Sequence, residues 1–210
     1  DGSYYGGSPI WVQAAKAGIV TASYFFAGTE ADIQGYHPTY YYKYDGSIKN
    51  EVRVAQAIKW LELPEKNRPH FITLYFSDMD DIGHRYGPNA DTIIKKTLYD
   101  LDISLGHLFK QIDQLELPLN IIIVSDHGML EIPEEKYIPV EVIEKNEQYL
   151  AINSGAIVNI HPKDYSQTDF IYNNLKKKEN HFSVYRTEYT PGFEYVPKNK
   201  DWGAIQIIPE

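Results

Sequence analysis

The sequence predicts an α/β fold: a mostly parallel sheet flanked by helices. Three observations carry that expectation. Short β-branched and aromatic runs alternate with amphipathic stretches in the order α-β-α-β-α-β and then β-α-β-β, the order that builds right-handed crossovers on one sheet. The run Leu119 to Val124 is almost wholly apolar, as a strand covered on both faces requires. A third signal is the spacing of Ile94, Leu98, Leu101, Leu105, Leu108, Ile112 and Leu115, whose steps of four and three make one face of a long helix.

Each element has a local reason. Ser8-Pro9 before Ile10-Trp11-Val12 reads as an N-cap with proline at the first helical position, and Gly18 as the stop. Ile19 to Phe26 is β-branched and aromatic and predicts a strand. Residues 27–49 are polar, glycine-bearing and rich in tyrosine, which predicts a long surface loop. Asn50 to Leu63 is an amphipathic helix stopped by Pro64, and His70 to Phe76 a buried strand. Asp91 to Leu115 is the long helix. Further on, Ala156 to Ile160, Phe182 to Arg186 and Ala204 to Ile208 predict strands, with a helix over Thr168 to Lys177. Lys176-Lys177-Lys178 is a solvated end of that helix, where cations suit the helix dipole.

Composition removes several classes of function. The 210 residues include 20 Lys and Arg against 29 Asp and Glu, a formal charge of -9. That balance opposes binding to nucleic-acid duplexes and to anionic lipid, both of which need clustered cations. With 43% hydrophobic residues the chain is globular in composition, and a chain of this length buries roughly 70% of its unfolded surface. Apolar runs such as Ile121-Ile122-Ile123-Val124 fall far short of the ~20 residues that span a bilayer. The absence of cysteine excludes disulfides and thiolate metal sites. Tyrosine is overused, at 18 residues against 8 Phe and 3 Trp. The beginning Asp1-Gly2-Ser3 lacks a methionine and a signal peptide, and the end at Pro209-Glu210 is abrupt. The expectation is a piece of a longer protein.

Ligands of open α/β sheets bind at the carboxyl ends of the strands, and two such ends are unusual here. After Tyr75-Phe76 come Ser77-Asp78-Met79-Asp80-Asp81-Ile82-Gly83-His84. Asp80 and His84 are four residues apart, so one helical turn or a tight glycine loop aims both at one point, and an Asp oxygen with a His nitrogen suits Zn²⁺. The same acidic loop also serves as N-caps and turns. After Val124 comes Ser125-Asp126-His127-Gly128; its alternative is an Asp cap with His packed on the sheet end. Taken together, two Asp/His pairs at neighbouring strand ends form a candidate two-metal site for phosphoryl displacement. His37, His70, His107, His161 and His181 have no suggestive acidic partner. Tyr40-Tyr41-Tyr42 and Tyr44 are either a stacking surface for a nucleobase or packing on the domain itself. No P-loop, no Gly-x-Gly-x-x-Gly and no Gly-x-Ser-x-Gly is present.

Seven segments in order resemble the nucleotide pyrophosphatase/phosphodiesterase family of the alkaline phosphatase superfamily. They are Pro9-Ile10-Trp11-Val12; Phe25-Phe26-Ala27-Gly28-Thr29-Glu30; Pro38-Thr39-Tyr40-Tyr41 with Tyr44-Asp45-Gly46-Ser47; Trp60-Leu61-Glu62-Leu63-Pro64; Thr73-Leu74-Tyr75-Phe76; Asp80 to Pro88; and Ser125 to Met129. The resemblance implies an alkaline-phosphatase-like sheet, with residues 1–210 the central part of a single phosphodiesterase catalytic domain, incomplete at both ends. It implies a hydrolase of phosphodiester or pyrophosphate bonds in nucleotides or other small molecules. Two zinc ions serve the full enzyme, one held by Asp80 and His84, the other by Asp126 and His127, with weak or partial binding expected in this chain alone. Tyr44 matches a position that stacks on the base and Tyr75 one that contacts substrate. Phe26 stands where the family often has Trp, and Glu30 where it often has Asp. The family's threonine nucleophile, a further Asp ligand and an oxyanion-binding Asn fall upstream of the segment matching Asp1, and a third His ligand downstream of Glu210. No threonine of this chain, including Thr21, Thr29 and Thr73, matches the nucleophile's context. The chain alone is therefore expected to be inactive. Members are usually periplasmic or extracellular. Two alternatives remain at this stage: a related superfamily metalloenzyme acting on phospholipid-type phosphodiesters, phosphomonoesters or sulfate esters, and a non-catalytic interaction module.

Overall fold

The computed structural model describes residues 2–139, 143, 147–192 and 200–210. The described chain divides into two compact units, residues 1–131 and 132–210.

Unit 1 is an α/β layer. Its helices are α1 (Ile10–Lys16), α2 (Asn50–Leu61), α3 (Asp78–Tyr86) and α4 (Asp91–Asp113), and its strands β1 (Thr21–Tyr24), β2 (Tyr40–Tyr42) and β3 (Phe71–Leu74). The sheet is parallel, in the order β2-β1-β3, with Ala22 opposite Tyr40 and Ile72. Helix α1 ends with Gly18 at φ 76°, the left-handed stop that only glycine takes without strain. The predicted strand from Ile19 shortens to Thr21–Tyr24, all four residues buried. The core under the sheet joins Val54, Ala57, Ile58 and Leu61 of α2 to Leu108, Phe109 and Ile112 of α4 and to Ile72 and Leu74 of β3. Leu98 is the exposed member of the α4 stripe, while Ile94 and Leu101 are partly buried and Leu108 fully.

Two expectations for this unit need correction. The loop expected at 27–49 contains β2. Tyrosine favours pleated, half-buried surfaces, and alternation sends Tyr40 and Tyr42 to one face, where Tyr42 stacks on Tyr24 at 4.6 Å and Tyr40 packs on Trp60. Tyr41 takes the other face and stacks on His37 at 4.9 Å. The acidic segment after β3 is a full helix, α3, an element the sequence reading did not assign, and it bears out the helical-turn alternative for Asp80 and His84. The run Leu119 to Val124 forms no strand among the described residues: it has no ladder partner, and Ile122 and Val124 are 84% and 76% exposed. Apolarity signals a demand for burial, but a strand exists only through the edge it pairs with.

Unit 2 holds a four-stranded antiparallel sheet, β4 (Tyr149–Asn153), β5 (Val158–Pro162), β6 (Phe182–Arg186) and β7 (Ile205–Pro209), in the order β4-β5-β7-β6, with α5 (Thr168–Lys176) between β5 and β6. Ile160, Val184, Ile205, Ile171 and Leu175 make its core. The expected α/β fold with a parallel sheet and helices stands in unit 1, and among the described residues unit 2 adds an antiparallel sheet that the alternation did not predict. It also adds β4, which the sequence reading passed over, and moves the strand expected at Ala156 to Ile160 two residues on. The signal was present. Asn153-Ser154-Gly155 is hairpin chemistry, with the Asn153 side chain accepting from the Gly155 N–H at 2.8 Å and Gly155 at φ 84°. No described helix is long and apolar enough to cross a membrane.

Candidate active site at the strand ends of unit 1

The carboxyl ends of β1, β2 and β3 carry an aromatic group, and an acidic-imidazole group lies beside it after β3. Helix α3 starts three residues after β3, so its first turn lies at the strand end and presents Asp78, Asp80 and Asp81. The structure separates these carboxylates. Both oxygens of Asp78 accept from Asn50 Nδ2 at 2.9 Å, which ties the start of α2 to the start of α3. Asp80 instead faces histidines: its Oδ1 lies 3.4 Å from His84 Nε2, one turn along α3, and 3.9 Å from His127 Nε2. Asp126 Oδ2 lies 3.6 Å from the same His127 nitrogen.

Local structure orients His127. Its Nδ1 is 3.0 Å from the Gly128 carbonyl. A carbonyl only accepts, so Nδ1 carries the proton and the neutral ring keeps its lone pair on Nε2, the atom facing Asp80. That backbone hydrogen bond, followed by Asp126 and Asp80, pushes the imidazole pKa up. The Ser125 hydroxyl donates to the His127 carbonyl at 2.6 Å, and the His127 N–H to Asp126 Oδ1 at 3.0 Å. The segment lies against α3 at Gly83, where a Cβ would stand 2.6 Å from Sδ at the flexible end of Met129.

Among the described residues, no three His, Cys, Asp or Glu side chains converge as a set able to hold a metal ion. What stands there is two pairs. Their chemistry fits zinc, which takes carboxylate oxygen and imidazole nitrogen at about 2.0–2.2 Å. Two ligand atoms on one tetrahedral zinc stand about 3.3–3.4 Å apart, close to the 3.4 Å between Asp80 and His84.

The aromatic group is built on Tyr44 and Tyr75, with ring centroids 6.3 Å apart. Tyr44 is 46% exposed, its hydroxyl donates to Ser77 Oγ at 3.3 Å, and its N–H donates to Glu30 Oε2 at 3.4 Å. Glu30 thus holds the Tyr44 backbone. The Tyr75 phenol is pushed up in pKa, first by burial and then by the Asp80 and Asp126 carboxylates, so the aromatic and acidic groups share one field. Phe26 packs edge-on to Trp11 at 6.2 Å; the ring edge-on to Tyr44, at 5.3 Å, is Phe25.

Thr21, Thr29 and Thr73, none of them expected to be the nucleophile, make structural hydrogen bonds. Thr73 donates to Ser23 Oγ at 3.0 Å, Ser23 and Thr29 are 2.8 Å apart, and Thr29 donates to the Phe26 carbonyl. Since Thr29 spends its only proton on Phe26, Ser23 must donate to Thr29, and the chain of hydroxyls is fully determined. Thr21 exchanges two hydrogen bonds with Thr39.

Phe25, beside Tyr44, escaped the sequence reading, as did Arg53 of α2, which lies buried behind it. Arg53 shares the stripe of Ala57, Trp60 and Leu61 on α2, and a cation on an otherwise apolar helix face was the available sign.

The profile of the type I phosphodiesterase / nucleotide pyrophosphatase family matches residues 2–210. Human ectonucleotide pyrophosphatase/phosphodiesterase family member 1 is 33% identical over 198 residues, 90% of this chain and 21% of its own length. Venom phosphodiesterase CdcPDE of Crotalus durissus collilineatus is 44% identical over 132 residues, 62% of this chain and 16% of its own length. Among solved structures, an inactive variant of murine ectonucleotide pyrophosphatase/phosphodiesterase 5 in complex with AMP superposes with a TM-score of 0.80 at 28% identity, covering 96% of this chain and 54% of that one. The chain thus spans about half the length of that solved relative and about a fifth of the curated ones.

Proposed function

The chain belongs to the type I phosphodiesterase / nucleotide pyrophosphatase family, and from that premise we propose that the protein carrying it hydrolyses phosphodiester or pyrophosphate bonds of nucleotides. The observation that supports this most is the adjacency of the Tyr44–Tyr75 aromatic pair and the Asp80/His84/Asp126/His127 cluster at the same strand ends. One group suits a base, the other the phosphate.

Asp80 with His84, and Asp126 with His127, lend ligands to two zinc ions. Bound zinc lowers the pKa of the attacking oxygen and screens the charge of the phosphate oxygens. The -9 charge of the chain fits this reading, since bound zinc would supply positive charge that 20 Lys and Arg against 29 Asp and Glu do not. His127 presents Nε2 to the cluster because Gly128 holds the other nitrogen. Tyr44 offers an exposed ring face to the base, steadied by Glu30 and Ser77. Tyr75 closes the space between base and phosphate, and Phe26 supports the turn after β1 from behind.

Residues 1–210 form the central part of one catalytic domain in this reading. The nucleophile comes from elsewhere in the protein, since the hydroxyls of Thr21, Thr29 and Thr73 are committed to structural hydrogen bonds. The chain alone binds zinc weakly and turns over no substrate. The relatives named ectonucleotidase and venom enzyme support a periplasmic or extracellular site of action.

The test is turnover of a p-nitrophenyl nucleotide ester by the whole protein. Hydrolysis that is abolished by a chelator and restored by Zn²⁺ is the expected result. Hydrolysis indifferent to the chelator, or none with zinc present, contradicts the proposal.

A further inference from the structure

Arg53 is a buried cation that nothing above uses. It sits in the first turn of α2 and is 2% exposed. Its guanidinium donates from one terminal nitrogen to the Tyr75 carbonyl at 2.8 Å and from the other to the Ile48 carbonyl at 2.9 Å. Its Cζ lies 5.1 Å from the centre of the Phe25 ring. Among the described residues no carboxylate lies within ion-pair distance of it, and its Nε has no hydrogen-bond partner. Burying a guanidinium against neutral carbonyls alone is unfavourable unless the geometry it fixes is needed, and arginine does not escape by losing its proton.

What it fixes is specific. Ile48 closes the turn that follows Tyr44: Ser47 donates twice to the Asp45 carboxylate, holding that group below the usual carboxylate range, and the Ile48 N–H donates to the Asp45 carbonyl. Tyr75 is the second aromatic residue of the site. Phe25 holds φ at 64°, a conformation costly for a bulky side chain that persists only where the surroundings enforce it. Its ring lies between the Arg53 guanidinium and the edge of Tyr44. One planar, rigid fork therefore reaches all three segments that bear the aromatic wall, and an ammonium on a flexible stem does not reproduce that reach.

We propose that Arg53 is a positioning residue for base recognition: it sets the spacing of Tyr44, Phe25 and Tyr75 from beneath, and so governs affinity for the nucleoside part of the substrate without touching it. This rests on the nucleotide reading of the site.

The test uses the whole protein, zinc-loaded, with Arg53→Met, which fills the volume but holds no carbonyl, and Arg53→Lys, which holds at most one. The readouts are AMP affinity by calorimetry, KM and kcat for a p-nitrophenyl nucleotide ester, and kcat/KM for bis(p-nitrophenyl) phosphate, which has no base. The expected result for Arg53→Met is AMP affinity weaker by about 10-fold and KM raised in proportion, kcat within about two-fold, and the base-free diester unaffected. Arg53→Lys falls between. Equal losses on both esters mark a merely structural role and overturn the proposal, as does unchanged AMP affinity in both variants. If Arg53→Met does not fold, Arg53→Lys decides on the same criteria. A wild-type protein that binds no AMP and cleaves neither ester overturns the nucleotide reading itself, and the inference with it.

Discussion

Asp80→Asn in the whole protein should lower kcat/KM for a nucleotide ester by about 100-fold or more, some 2.7 kcal/mol of transition-state stabilisation, and lower bound zinc below two per chain. Asp80 is singled out by position. Its Oδ1 is the oxygen that both His84 and His127 approach, at 3.4 and 3.9 Å. Asparagine keeps the shape and removes the charge, so a loss reports electrostatics rather than packing. Asp78→Asn, the same change two residues earlier, is the control, because Asp78 is occupied by Asn50. It should leave zinc content unchanged. Metal analysis beside steady-state kinetics reads both. An Asp80→Asn protein with two zinc ions and a rate within about three-fold of wild type would remove Asp80 from the site.

Tyr44→Ala should cost a nucleotide ester about 5- to 150-fold in kcat/KM, since one stacked base is worth about 1–3 kcal/mol. A diester without a base should change by less than about three-fold. Tyr44 has the required features, being half exposed, braced at its hydroxyl by Ser77 and at its backbone by Glu30. Tyr44→Phe keeps the face and should stay near wild type. Equal losses on both substrates would mean that Tyr44 supports the fold instead of the base.

The acidic-imidazole site was legible in the sequence because its logic is local. Asp80 and His84 are one helical turn apart and Asp126 and His127 are adjacent, so spacing alone brings each pair together. The approach of the two pairs is not local. It depends on how α3, which begins soon after β3, and the segment of His127 are placed. Sequence reasoning reached it by placing both pairs at neighbouring strand ends, although Leu119 to Val124 forms no strand among the described residues. Arg53 left a sign in the sequence, a cation on the apolar face of α2, but its partners, the carbonyls of Ile48 and Tyr75, lie outside residues 50–61 and no pattern there reveals them. The sheet register divided the tyrosines of β2, Tyr40 and Tyr42 to the face of Trp60 and Tyr24, and Tyr41 to His37. Leu119 to Val124 shows the converse. Its apolarity announced a buried strand, yet the segment pairs with no described strand, because hydrophobicity carries no information about which edge will receive it.

The central claim is that one place on the fold holds both metal and base. The most direct measurement is a crystal structure of the whole protein with AMP, with data collected across the zinc absorption edge. The account expects anomalous peaks at Asp80 with His84 and at Asp126 with His127, and the adenine ring over Tyr44. Zinc bound by other residues, or a base lying away from Tyr44 and Tyr75, would contradict it.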